Sequence, residues 1–257
     1  MSAFNLTRFN LLSGSITPPN KAIVMFDGKA MDANISGLHI LNITIGGVDI
    51  ESNALARKRR AGSDFRWKRN ATRTITILVE LPLSKNDYAD NVRKLRAWAE
   101  STEPKALRLP VYKSDLIYAT LTSFSEFTLR EWWNPIELVF TCWDPYFENV
   151  SENMAQIEST FTIGGNGDPS VHLTYNLDEV PLTDPEWRFE DGKTIKLTGT
   201  FNSGELDINF DRLTIYQNGT SVMRKLTLAS RFPEFVPGTY QITGPSGGIV
   251  RWKERWA

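Results

Sequence analysis

The sequence predicts a mainly β protein in two parts: an α+β first part with one helix, then an all-β second part. Three observations carry this reading. Runs of alternating or β-branched residues recur along the chain. One stretch, 86–100, has the apolar spacing of a helix. After Asp144-Pro145-Tyr146 the apolar runs become short and are separated by turn residues, which is the pattern of a β-sandwich. The change of pattern places a boundary near residue 150, giving domains 1–150 and 151–257.

Each element follows from its residues. Strands are expected over 40–45 (ILNITI), 73–81 (RTITILVEL), 116–124 (LIYATLTSF) and 136–141 (IELVFT). In NDYADNVRKLRAWAE the apolar Tyr88, Val92, Leu95 and Ala99 step by four, three and four, which makes one helical face. Ser84 followed by Asp87 resembles a capping box, and Pro104 ends the helix. The polar run Glu148 to Gln156 (ENVSENMAQ) reads as a connector open to proteolysis. Beyond it, STFTI, VHLTYNL, TIKLTGTF, ELDINFD, LTIYQNG and VMRKLTL read as strands. Asn218-Gly219 is a hairpin turn between 213–216 and 222–228, and Gly164-Gly165-Asn166-Gly167 is a second turn. IVRWKERW is the final strand, with Trp252 and Trp256 on one face if it is regular.

Composition excludes several classes. With 257 residues, 41% apolar and 23% charged, the chain is large enough for a proper core and is not a disordered polymer. No apolar run reaches the length of a membrane helix, and MSAFNLTRFN lacks the pattern of an export signal, so no membrane association is expected. The single Cys142 rules out an internal disulfide framework and reads as a buried, inert thiol. His39 and His172 fall in different strands of different parts, and Glu126, Glu131 and Glu137 are scattered among 30 acids. No P-loop or nucleophile elbow is present, so no enzyme activity, cofactor or metal site is expected. Eight tryptophans keep a sugar-binding reading open, with Trp187 as the stacking candidate. Aromatics that fill cores are the more ordinary explanation.

Charge is unevenly placed. The window 54–73 (ALARKRRAGSDFRWKRNATR) holds eight Lys or Arg and one acid, which leaves 21 basic and 29 acidic residues elsewhere. A basic loop on an acidic body suits either nucleic acid or a second copy of that body.

The order of motifs resembles the distal tail proteins (Dit) of siphophages. It is carried by RTITILVEL, the helix ending KLRAWAE, EPKALRLPVYKSDLIYATLTSF and REWWNPIELVFTCWDPYF. Within these, Phe140, Cys142, Asp144, Pro145 and Tyr146 are the most specific residues. The second half adds the Gly-Asn-Gly turn before Pro169, YQNG at 216–219, RFPEFVPGTYQI at 231–242 and the RW–RW end. The resemblance implies an N-terminal sandwich-like ring domain with one helix and an extended hairpin, followed by a galectin-like β-sandwich. It also implies a structural role at the virion tail tip. Six copies, assembled in the host cytoplasm, would close into a homohexameric ring between the tail tube protein and the tail-associated fibre or lysin hub. Receptor-binding proteins would sit at the periphery, and DNA would meet the ring only in transit.

For such a ring, Arg57, Lys58, Arg59, Arg60, Arg66, Lys68 and Arg69 are the subunit-interface candidates, with the channel wall as the rival location. The alternative function is a carbohydrate-binding adhesion module acting through the C-terminal sandwich.

Overall fold

The structure, a computed structural model, describes residues 23–35, 37–56, 63–81, 88–112, 114–125 and 135–257. Of the side chains at 55–56, 63–66 and 68, only the backbone pairing is described. It is mainly β, with one α-helix among the described residues.

The first half is built on one large sheet. Its strands are β1 (Met25–Phe26), β2 (Lys29–Ala30), β3 (His39–Ala56), β4 (Ser63–Glu80), β5 (Lys105–Arg108), β6 (Asp115–Phe124), β7 (Pro135–Cys142) and β8 (Phe147–Asn149). The main path runs β2-β1-β5-β6-β7-β4-β3, and β8 attaches to β6. Along β7 the residues alternate strictly, with Ile136, Leu138, Phe140 and Cys142 inward, because a pleated strand sends successive side chains to opposite faces. Helix α1 (Tyr88–Ala99) covers that inner face and buries Tyr88, Asn91, Leu95 and Ala99. Asn91 shares the buried face expected for Val92, which is only partly covered. Trp98 packs edge-on against Phe26 and Phe140, with centroids 5.8 and 6.4 Å away, and its indole N–H donates to the Lys29 carbonyl at 2.9 Å.

The second half has its own core. Its strands are β9 (Asn153–Gln156), β10 (Thr160–Ile163), β11 (Ser170–Asn176), β12 (Leu182–Thr183), β13 (Glu186–Phe189), β14 (Thr194–Lys196), β15 (Thr200–Phe201), β16 (Glu205–Asn209), β17 (Thr214–Gln217), β18 (Thr220–Ser221), β19 (Gly238–Thr243), β20 (Ile249–Lys253) and β21 (Arg255–Trp256). One sheet runs β10-β19-β13-β14, a second runs β18-β17-β16-β11-β20-β9, and β12 pairs β15. Val171, Leu173 and Tyr175 of β11 point into a core shared with Trp187, Ile195, Phe201 and Ile242. The cores of the two halves share no residue.

Three details differ from the sequence reading. The polar connector is not a loop: β8 and β9 occupy it, paired with β21 and β20. These strands are only three and four residues long and bury only Phe147, which precedes the run, so the strand pattern is missing from ENVSENMAQ. The Asn218-Gly219 turn is real, with both residues at positive φ (48° and 73°) as a type I′ turn requires. Its second strand, however, is only Thr220–Ser221, and the expected strand over 222–228 instead opens with a 3₁₀ turn at Met223–Lys225. Finally, the last strand breaks at Glu254. Trp252 stays in the second core at 7% exposure, while Trp256 crosses to pair with Phe147 of the first half.

Candidate functional site

Two features stand out, the long hairpin and the seam between the halves. The hairpin β3–β4 has 18 residues in each strand. The inner part of β4, Arg73 to Glu80, lies between β3 and β7. Past Arg73 toward the hairpin tip, β4 pairs only with β3 among the described residues. Where the third strand stops, the register slips at Ile45/Val48, so that Gly46 and Gly47 sit as a bulge. A Cβ at Gly46 would stand 2.9 Å from the Thr74 carbonyl oxygen, which explains a residue without one.

The outer part is held by cross-strand polar pairs. Thr72 Oγ1 donates to Asp49 Oδ2 at 2.9 Å, and Arg69 Nη2 meets Glu51 Oε2 at 2.7 Å. Arg69 also lies 5.5 Å from the Trp67 ring centroid. Ile50 and Trp67 remain exposed at 56% and 43%. The described parts of the basic window, 54–56 and 63–73, are therefore strand in the distal half of a hairpin. Of the seven basic candidates, Arg69 is already paired within the chain. Arg57, Lys58, Arg59 and Arg60 lie outside the described residues, as do the side chains of Arg66 and Lys68.

At the base of this arm, Arg73 is 6% exposed and its guanidinium lies 5.2 Å from the Phe147 ring. Burial holds it below its usual value, against smaller opposing effects of Cys142 and Tyr112. Cys142 faces Arg73 across the β4–β7 ladder. Burial pushes its thiol up to about 12, and the nearby Arg73 only partly offsets this. Such a thiol stays protonated and unreactive, as expected of a buried cysteine.

The seam converges on Arg255. Its guanidinium pairs with Asp144, donates to the Asp168 carbonyl at 3.0 Å and lies 5.2 Å from the Tyr146 ring centroid. Its carbonyl accepts the N–H groups of Asn166 and Gly167 at 3.0 and 2.9 Å. A Cβ at Gly165 would lie 2.2 Å from that same oxygen, and one at Gly167 would lie 2.5 Å from the Tyr146 ring. The Gly-Asn-Gly turn is thus a seat for β21 as well as a turn, and only glycine permits both approaches. Tyr146 in turn accepts a hydrogen bond from Asn70 of the arm at 2.7 Å. Nearby, Lys253 Nζ meets Glu148 Oε1 at 2.7 Å.

Trp187 is fully buried, and its indole N–H donates to the Tyr175 hydroxyl at 2.8 Å, which donates on to the Pro245 carbonyl. It offers no ring face to a sugar, so the stacking candidate is removed. Burial, partly offset by the Trp187 bond, also pushes the Tyr175 hydroxyl well above its ordinary value. Among the described residues, no group of three or more His, Cys, Asp or Glu could hold a metal ion, and no helix is long and apolar enough to cross a membrane.

Residues 165–256 match the family model of the siphovirus-type tail component, C-terminal domain. The chain also shares the fold of the Dit protein (gp 19.1) of phage SPP1, described as a paradigm of the hub adsorption apparatus in phages infecting Gram-positive hosts. The TM-score is 0.77 at 14% identity, over 93% of this chain and all of that one. Chains of the phage P2 baseplate in its activated conformation, with calcium and with strontium, superpose loosely. Their TM-scores are 0.45 at 10% and 9% identity, over 91% of this chain and 97% and 98% of theirs. No curated protein matches in sequence. The resemblance to the distal tail family, read from the order of motifs, is borne out, and the family is one of structural tail components.

Proposed function

We propose that this chain is the distal tail hub of a long non-contractile-tailed phage, and that six copies close into a ring. In this reading residues 1–150 form the ring and residues 151–257 are carried as a separate sandwich domain outside it. The ring joins the tail tube to the tail-associated fibre or lysin hub, holds receptor-binding proteins at its rim and lets DNA pass through. It acts at the virion tail tip after assembly in the host cytoplasm, and without catalysis.

The observation that carries the reading is the unsupported outer arm. A lone two-stranded ribbon is marginal in water, and this one exposes Ile50 and Trp67. Strand β3 is also the edge of its sheet, a row of backbone groups open to a further partner. An element built this way is completed by a neighbour. A ring of identical copies supplies one, because each arm meets a different surface on the next copy. With Arg69 paired to Glu51, the charge available for such contact rests on the other six basic candidates.

Size exclusion with light scattering, and negative-stain microscopy, test this directly. The wild-type protein is expected as a hexameric ring. Arg57, Lys58, Arg59 and Arg60 changed together to Glu should reduce ring yield while leaving the circular dichroism unchanged, most strongly at low ionic strength. A strict monomer at high concentration and low salt overturns the ring. Intact rings that lose DNA retention assign the arm tip to the channel instead.

A further inference from the structure

The outward face of the six-stranded sheet is polar, and the first half of the chain stands against it to form a cleft of about 650 Å³. That volume is in the range of small-ligand sites. Its floor follows from the strand register. His172 lies opposite Asn209, Asn209 opposite Thr214, and Asp207 opposite Tyr216. Because these strands alternate, their partners Leu173, Leu206, Ile208 and Ile215 fill the core and leave the polar set outside.

The set is ordered before any ligand arrives. Asp207 Oδ1 meets His172 Nδ1 at 3.0 Å, and Asn209 Nδ2 meets His172 Nε2 at 3.3 Å. The Arg212 backbone N–H donates to Asn209 Oδ1 at 2.8 Å, and Asn209 is itself only 8% exposed. Thr214 Oγ1 is buried without a hydrogen-bond partner. Across the cleft stand Tyr118, Asp144, Glu148 and Arg255. Tyr118 and Tyr216 are 43% and 37% exposed, so each presents a ring at the rim. Next to Tyr118 on the same face of β6, Thr120 accepts the indole N–H of Trp143 at 3.0 Å, which fixes a third aromatic with 60% of its surface free.

Charge narrows the ligand class. Asp144 is paired with Arg255, and Glu148 with Lys253. That leaves one carboxylate, Asp211, and one guanidinium, Arg212, without a side-chain partner among the described residues that line the cleft. With Asp207 held on His172, an anion would meet Asp211 and a cation would meet Arg212. A neutral molecule rich in hydroxyls can donate to the carboxylate, accept from the guanidinium and lay its C–H faces on the tyrosines. An extended peptide is less suited. The central floor strands β11 and β16 are hydrogen-bonded on both sides and have no backbone groups left to pair with it.

We propose that this cleft is a binding site for a neutral saccharide, with Tyr118 and Tyr216 against the sugar rings and Asp211 and Arg212 on the hydroxyls. The site lies on the seam, away from the buried Trp187, and needs no ring: it stands or falls separately from the hub reading.

Saturation-transfer NMR on the full chain tests it with cellobiose, maltose, lactose and N-acetylchitobiose. Transfer to at least one is expected, with a dissociation constant of about 1 mM. Binding should weaken about tenfold or more in Tyr216→Ala and in the double change Asp211→Ala with Arg212→Ala. All three residues are exposed, so these variants keep the fold, and Leu228→Ser outside the cleft should bind as wild type. No transfer to any of the four sugars, transfer that survives both variants, or tighter binding of digalacturonate than of any neutral sugar overturns the proposal.

Discussion

The two ends of the hairpin arm are made of the same pair of strands, yet they obey different physics. At the base, Ile75, Ile77 and Val79 alternate inward with no exposure, flanked by β7 on one side and covered by helix α1. Past Arg73 the ladder continues without a third strand among the described residues, and the contacts become Thr72 with Asp49 and Arg69 with Glu51. The base is stable because it buries apolar area in its own chain. The outer half is specified in pairing but not in burial, since exposed ion pairs contribute about 0–1 kcal/mol. Stability and availability for a partner are therefore separated along one element, with the Gly46-Gly47 bulge at the division.

Matched substitutions break this contrast most sharply. Ile77→Ala should cost about 2–5 kcal/mol in urea unfolding, whereas Ile50→Ala should change monomer stability by about 0.5 kcal/mol or less. Equal losses would mean that the outer half has a core of its own. Cys142 marks the division chemically, since it faces Arg73 at the last β4–β7 pair. Iodoacetamide at pH 8 should leave the folded thiol unmodified and label it fully in denaturant. The sign of the pH effect follows from the raised value. The unfolded thiol loses its proton from about pH 8.5, while the folded one keeps it to about 12. Cys142 thus lowers stability as pH rises between those limits, by about 1.4 kcal/mol per pH unit at most. Labelling of the native protein at pH 8 would show that opening of the arm reaches its base. A modest effect belongs to Tyr146→Phe, which removes the Asn70 contact between arm and seam. A loss of about 0.5–1.5 kcal/mol is expected, with ring formation retained.

What the sequence made legible is local periodicity. The alternation in RTITILVEL and IELVFT gave the strands at the base, and four-three-four spacing gave the helix, because one face of each is buried in a single core. Asn218-Gly219 was readable because its backbone signs are a property of two adjacent residues. The arm's outer half was read as a charged loop because its described side chains are mostly exposed, so it has no apolar rhythm to display. The seam was hidden for another reason. Gly165 was read within a turn, but the oxygen that excludes its side chain belongs to Arg255, 90 residues later. His172, Asp207 and Asn209 likewise lie on two strands joined only by register.

Asp144 and Arg255 are 111 positions apart. Protein synthesis at about 5–20 residues per second separates their appearance by roughly 6–20 s. Through that interval the arm is already made, while β8 lacks its β21 neighbour, the Gly165 seat is empty and the sandwich lacks its β20 rung. Long-range pairing of this kind is slow to form even once both strands exist. The two halves therefore finish folding together, because the strand at 255–256 closes the β8 edge of the first half and the Gly165 seat of the second.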